Sequence, residues 1–195
     1  GGSLTTANAG TSGDGGEVVA FSPDTALFRD GAKIEARGGG DADDGGFVEV
    51  SGKQHVEING LVDTSAANGT AGLFYIDPYN VTISNFADTQ IGWGSPFSPA
   101  ASASNVNIAT LLTNLAGGNV TIDTVNGAGT EPGKITILDS FSYTTGANTL
   151  TLDADHDINI NASVGFTNGG TLDLDSGHDI NINSGLNIAG GSTLD

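Results

Sequence analysis

Cysteine and methionine are both absent from the 195 residues, and basic side chains are scarce, with 5 Lys and Arg against 23 Asp and Glu. Without Cys the chain is not a small disulfide scaffold, so an apolar core has to hold it together. A formal charge of −18 leaves no basic patch to neutralise phosphates, which excludes unassisted nucleic-acid binding and disfavours anionic membrane surfaces. The plain account of the acidity is solubility, a charged exterior that keeps exposed strands from pairing with neighbours. Attraction of calcium or of basic partners is the sharper account. Aromatics are 6% and hydrophobic residues 37%, lean for a globular core. No apolar run approaches a membrane span, and no signal peptide is visible. The chain stops at Thr193-Leu194-Asp195, inside a pattern, which suggests a piece of something longer.

What is there is glycine, 31 residues, and short apolar alternations separated by Gly, Asn and Asp, the pattern of an all-β fold. An internal repeat carries most of the information. Residues 149–161 and 171–183 match at an offset of 22: Leu150, Leu172 and Leu194 correspond, as do Leu152 and Leu174, Ile158 and Ile180, and Ile160 and Ile182. Val164 maps to Leu186 and Phe166 to Ile188. Each unit holds three apolar-x-apolar triplets, and alternation points both apolar residues of a triplet to one side. Three such triplets joined by turns make one coil, and stacked coils bury what a single coil cannot. The expected fold is a right-handed parallel β-helix, a three-faced solenoid of 22-residue coils rising about 4.8 Å each. Leu150, Leu152, Ile158, Ile160, Val164, Phe166, Leu172, Leu174, Ile180, Ile182, Leu186 and Ile188 are its expected core. Upstream, Ile135, Ile137, Phe141 and Tyr143 continue the pattern at an offset of 23. Val120 and Ile122 would supply that coil's first triplet.

Polar positions should stack as well: Asn159 over Asn181, Asn161 over Asn183, His156 over His178. Asp153 over Asp175 and Asp157 over Asp179 would oppose like charges unless solvated or bridged by a cation.

Residues 1–83 carry a looser repeat, with Asp14-Gly-Gly and Asp44-Gly-Gly 30 apart. Each is followed by an apolar segment (Ala26 to Phe28, Val56 to Ile58) and by a third one near Ala32 to Ala36 or Leu61 to Asp63. Asp30-Gly31 and Asn59-Gly60 read as turns favouring positive φ. Residues 84–118 break the pattern and should form an excursion outside the solenoid. It holds one helix from Ile108 to Leu115, capped by Asn105 or Asn107 and ended by Gly117-Gly118. Phe86, Trp93 and Phe97 would cover an exposed face there or serve as a partner-binding patch. Residues 119–195 return to regular coils that continue beyond the chain.

The order of Asp44-Gly-Gly-Phe-Val-Glu-Val-Ser-Gly-Lys53, Gly60-Leu-Val-Asp-Thr-Ser-Ala66 and Gly72-Leu-Phe-Tyr-Ile-Asp-Pro-Tyr-Asn-Val-Thr-Ile83 resembles the filamentous haemagglutinin family of two-partner secretion exoproteins. Leu111-Leu112 followed by Gly118-Asn-Val-Thr-Ile122, and the Leu150 to Ala154 segment, fit as well. The resemblance spans roughly residues 10–190. It implies a β-helix shaft, export by an outer-membrane β-barrel transporter, and display or release at the surface of a Gram-negative bacterium. It also implies contact with glycan or protein on a host or neighbouring cell. Members act as adhesins, haemolysins, haem-acquisition proteins or toxin-delivery stalks. The chain lacks the Asn-Pro-Asn type motifs of the family's secretion-recognition domain, and it carries Phe74-Tyr75 where the family often has Trp before Asp-Pro.

No enzyme is expected. Carboxylates are too evenly spread for one pair to stand out. The bases Arg29, Lys33, Arg37, Lys53 and Lys134 lie outside the acidic coils after residue 149, which weakens a polysaccharide-lyase reading. No cofactor is expected, calcium excepted: Asp41, Asp43 and Asp44 sit in a Gly-flanked loop that could let carbonyls converge. Asp153-x-Asp155-x-Asp157 imitates the start of a calcium loop without its downstream Gly and Glu. His156 and His178 read as an exposed polar ladder, since a transition metal would want further converging ligands and Asp155 and Asp157 should alternate faces. Ile160→Asp is expected to lower the thermal melting temperature sharply, because it places an unpaired charge in the stacked core; an unchanged melt would show that Ile160 does not point inward.

Overall fold

The computed structural model describes residues 2–40, 42–87, 91–92, 98–99, 104–124 and 131–195. These described residues are mostly β, with parallel sheets stacked in register and one short helix, consistent with a parallel β-solenoid. The longest sheet has seven strands, in the order Glu17–Ser22, Phe47–Gly52, Leu73–Ile76, Asn119–Asp123, Thr149–Ala154, Thr171–Ser176 and Thr193–Leu194. A second runs Ser104–Asn107, Val81–Ser84, Ile135–Ile137, Ile158–Ile160 and Ile180–Ile182. Two sheets of three strands follow: Leu4–Thr6, Lys33–Glu35 and Leu61–Asp63, then Phe141–Tyr143, Val164–Phe166 and Leu186–Ile188. Thr25–Phe28 pairs with His55–Ile58 in parallel. Ile91–Gly92 and Ser98–Pro99 form a small antiparallel pair.

The register is the one the repeat requires. Leu150 lies opposite Leu172, and Leu172 opposite Leu194. Ile158 and Ile160 face Ile180 and Ile182, and Val164 and Phe166 face Leu186 and Ile188. Alternation sorts the faces: along Thr149–Ala154, Leu150, Leu152 and Ala154 are buried while Thr149, Thr151 and Asp153 are only partly covered. Leu150, Leu152, Ile158, Ile160, Val164, Phe166 and Leu172 are all buried. The expected core is incomplete at one end. Ile180 and Ile182 are 43% and 50% exposed, and Leu174, Leu186 and Ile188 are half-buried. They occupy inward positions, but the last layer has a neighbour on one side only, so half of its cover is missing.

Glycine at the corner before the long sheet follows from backbone crowding. Gly46 donates to the Ala36 carbonyl at 2.7 Å, and a Cβ there would run into the Gly16 carbonyl oxygen. Gly72 stands in the same relation to Gly46. The Asp-Gly-Gly repeat is therefore a stack of close backbone approaches. Gly31 takes the expected positive φ, 79°. Gly60 does not; it is small because a Cβ would clash with the Phe28 ring.

The helix, Ile108–Gly117, is capped by Asn107, whose side chain accepts from the Ala109 and Thr110 amides. It was expected outside the solenoid, on its flank. Instead it fills a gap in the wall between the strands Leu61–Asp63 and Phe141–Tyr143. On one side Asn114 Oδ1 accepts from the Val62 amide at 2.7 Å and the Gly117 carbonyl accepts from the Thr64 amide at 3.1 Å. On the other, the Leu115 carbonyl accepts from Asn148 Nδ2 at 2.7 Å and the Tyr143 hydroxyl at 3.3 Å. Ile108, Leu111 and Leu115, three and four residues apart, are buried, so the helix brings its own stripe of core. The strand that leads into it, Ser104–Asn107, pairs with Val81–Ser84 on the side away from Ile135–Ile137. It thereby lies over the earlier layer, where Ser104 Oγ accepts from the Val56 amide at 2.9 Å.

Asn114 is 3% exposed and stands in for the strand that would have satisfied Val62. Replacing it with Ala leaves that buried N–H without an acceptor, which should cost about 2 kcal/mol and lower the melting temperature. A melt unchanged in Asn114→Ala would mean that the helix is merely appended to the sheets.

Candidate functional site

The expected calcium loop is tied into the fold. Asp43 Oδ2 accepts from the Gly13 amide, and Asp44 Oδ1 from the Thr70 amide, both at 2.7 Å. Asp14 Oδ1 accepts from the Asp44 amide at 2.8 Å. These carboxylates staple neighbouring loops by charge-assisted hydrogen bonds. Asp41 lies outside the described residues. Of the aromatic candidates, Trp93 and Phe97 also lie outside them. Phe86 does not cover a face: it is 63% exposed, held by its backbone, whose carbonyl accepts from Asn105 Nδ2 and Asn107 Nδ2 at 3.0 Å each.

The polar ladders form as expected. Asn181 Nδ2 donates to Asn159 Oδ1 at 3.1 Å, and Asn183 Nδ2 to Asn161 Oδ1 at 2.8 Å. On the outer face of the long sheet Asp123, Asp153 and Asp175 sit on consecutive strands. Burial first, then the neighbouring Asp123 and Asp175 charges, raise the Asp153 carboxyl above its ordinary range. The Tyr75 hydroxyl donates to Asp123 at the same edge.

Lys33, Arg37, Lys53 and Lys134 make ion pairs, several of them between layers. Lys53 Nζ binds Asp77 at 2.6 Å, Lys33 reaches Glu35 and Asp63, and Arg37 reaches the same two carboxylates. Lys134 Nζ binds Asp157 Oδ2 at 2.6 Å.

His156 and His178 form the stacked ladder expected at this turn, and Asp157 joins it. The two turns that follow Thr149–Ala154 and Thr171–Ser176 stack through their backbones. The His156 amide donates to the Gly133 carbonyl and the His178 amide to the His156 carbonyl, both at 2.9 Å. Ser176 Oγ fastens the second turn to the first by donating to the His156 carbonyl at 2.6 Å. The imidazoles consequently stack, centroids 4.5 Å apart and planes 28° apart. Asp157 was expected on another face, but its buried carboxylate reaches both rings. Oδ1 lies 2.7 Å from His156 Nδ1 and 3.0 Å from His178 Nδ1. Asp179 Oδ2 is 3.1 Å from the same His178 nitrogen, so His178 bridges the two opposed aspartates. The Lys134 ammonium, with help from both imidazoles, holds the Asp157 carboxyl far below the usual carboxylate range despite its burial. Among the described residues, His156, Asp157 and His178 are the group whose donor atoms come within 4.8 Å of one another.

His55, by contrast, is a buried imidazole. It lies opposite Thr25, is fully buried, and neither ring nitrogen has a hydrogen-bond partner among the described residues. Burial lowers its pKa, so it stays neutral at pH 7.

No protein-family model matches the chain, and no curated protein matches it. None of the helices in the described residues is long and apolar enough to cross a membrane.

The aspartate ladder supplies a test of its own electrostatics. A carboxyl whose pKa is raised on folding opposes folding above the unfolded value of 3.8 and ceases to do so once pH falls below it. Asp153→Asn should therefore raise the melting temperature at neutral pH, with the gain shrinking as the pH drops towards 4. A destabilised variant at neutral pH would show that the ladder is held by a bound cation or by contacts specific to the carboxylate.

Proposed function

We propose that this chain is a structural and adhesive shaft segment of a large secreted bacterial surface protein of the filamentous haemagglutinin type. In this reading it is a right-handed, three-faced β-helix exported through an outer-membrane β-barrel partner. It is not an enzyme. The observation that carries the reading is the ladder of inward side chains in register, Leu150 to Leu172 to Leu194 and its counterparts on the other strands. A stack of this kind has nearest-neighbour contacts only, so its natural product is length and stiffness, suited to projecting a distal activity. The resemblance in residues 44–83 and 107–122 supplies the export route and the surface location. The outward acidity fits a shaft that must not pair laterally through its strands.

A second reading is a glycan- or protein-binding module centred on residues 86–97, and the exposed Phe86 ring favours it. Glycan-array and cell-binding assays on the chain and on Phe86→Ala separate the two. The shaft reading expects no ligand whose retention depends on Phe86. Retention lost in Phe86→Ala would replace it with the binding module, and release of unsaturated sugars from an acidic polysaccharide would replace both with a lyase.

A further inference from the structure

We propose that His156, Asp157 and His178, with Asp179 as a fourth donor, form a site for a divalent transition metal of the Zn²⁺, Ni²⁺ or Cu²⁺ class that ties one layer of the stack to the next. The inference goes beyond the shaft reading and does not need it, since it rests on donor geometry at one corner. Two imidazole nitrogens and a carboxylate oxygen are the donor set such ions prefer over calcium or magnesium, which take oxygen ligands. The donors come from two turns 22 residues apart, and their backbones are already locked together through the His178 amide and Ser176 Oγ.

The spacing is close to what a metal requires. Bonds of about 2.0 to 2.2 Å in a tetrahedral shell put neighbouring donors roughly 3.3 Å apart. The contacts to Asp157 Oδ1, 2.7 and 3.0 Å, and from His178 to Asp179, 3.1 Å, need to open by only a few tenths of an ångström. His156 Nδ1 is moreover a buried atom that makes no properly aligned hydrogen bond, close as it is to the carboxylate. Buried polar atoms are seldom left so, and a metal would engage its lone pair. Lys134 holds Oδ2 of Asp157, fixing the carboxylate so that Oδ1 faces the imidazoles, the orienting role that outer partners play around metal sites. The exposed side of His178 and Asp179 gives the ion a way in.

Titrating the chain with Zn²⁺ at neutral pH in a calorimeter tests this. One saturable equivalent is expected, lost in His156→Gln and in His178→Gln and retained in Asp175→Asn, which removes a carboxylate of the same layer outside the site. His178 is largely exposed, so its variant should keep the parent's far-ultraviolet circular dichroism. With Cu²⁺ as the probe, the paramagnetic resonance spectrum should report two imidazole nitrogens in the parent and one in His178→Gln. Absence of saturable Zn²⁺ binding, or binding that His178→Gln leaves intact, would overturn the proposal in favour of diffuse attraction to the acidic surface.

Discussion

Every part of this molecule depends on apolar side chains of one layer being covered by the equivalent side chains of the next. The interior is a set of columns, and each column is continuous only while the register holds. Val120, Leu150 and Leu172 form one, Ile83, Ile137 and Ile160 another, on strands that face each other without a slip. A shift of one residue would turn a whole strand inside out, so the register is protected by the same burial that it creates. The terminal layer shows the dependence in reverse: chemically identical Ile-x-Ile triplets are fully buried at Ile158 and Ile160 but exposed at Ile180 and Ile182.

That constraint explains how the chain accommodates its irregular middle. Any segment can replace a strand if it supplies core and leaves no buried backbone group unpaired. The helix meets both conditions with Leu111 and Leu115 on its inner stripe and with Asn114 and the Gly117 and Leu115 carbonyls as surrogate strand partners. The glycine pairs before the long sheet meet a related demand, since successive layers touch there through main-chain atoms.

Stacking also multiplies whatever lies on the outside. A residue repeated every turn becomes a column, favourable for asparagine amides and unfavourable for aspartates such as Asp123, Asp153 and Asp175. Scarce cations bridge carboxylates across layers: Lys53 at Asp77, Lys134 at Asp157, and Lys33 and Arg37 at Glu35 and Asp63. The His156 and His178 corner is the point where this economy uses titratable rings as well.

The sequence by itself determined the strand register of residues 135–195, because an offset of 22 or 23 residues repeated over alternating apolar positions has one packed solution. It also determined the asparagine and histidine ladders, which follow from that offset. The same offset sets the backbones of Lys134 and Asp157 side by side, since they precede the equivalent Ile135 and Ile158. Only the tertiary structure decided which side chains at the corners converge. Turn residues have no fixed alternation, so the direction of Asp157 depends on how the His156 and His178 backbones lock together rather than on strand parity. The fate of the helix was decided there too. Its amphipathic spacing identifies a buried face, but only the gap between Leu61–Asp63 and Phe141–Tyr143 turns that face inward and makes the helix part of the wall.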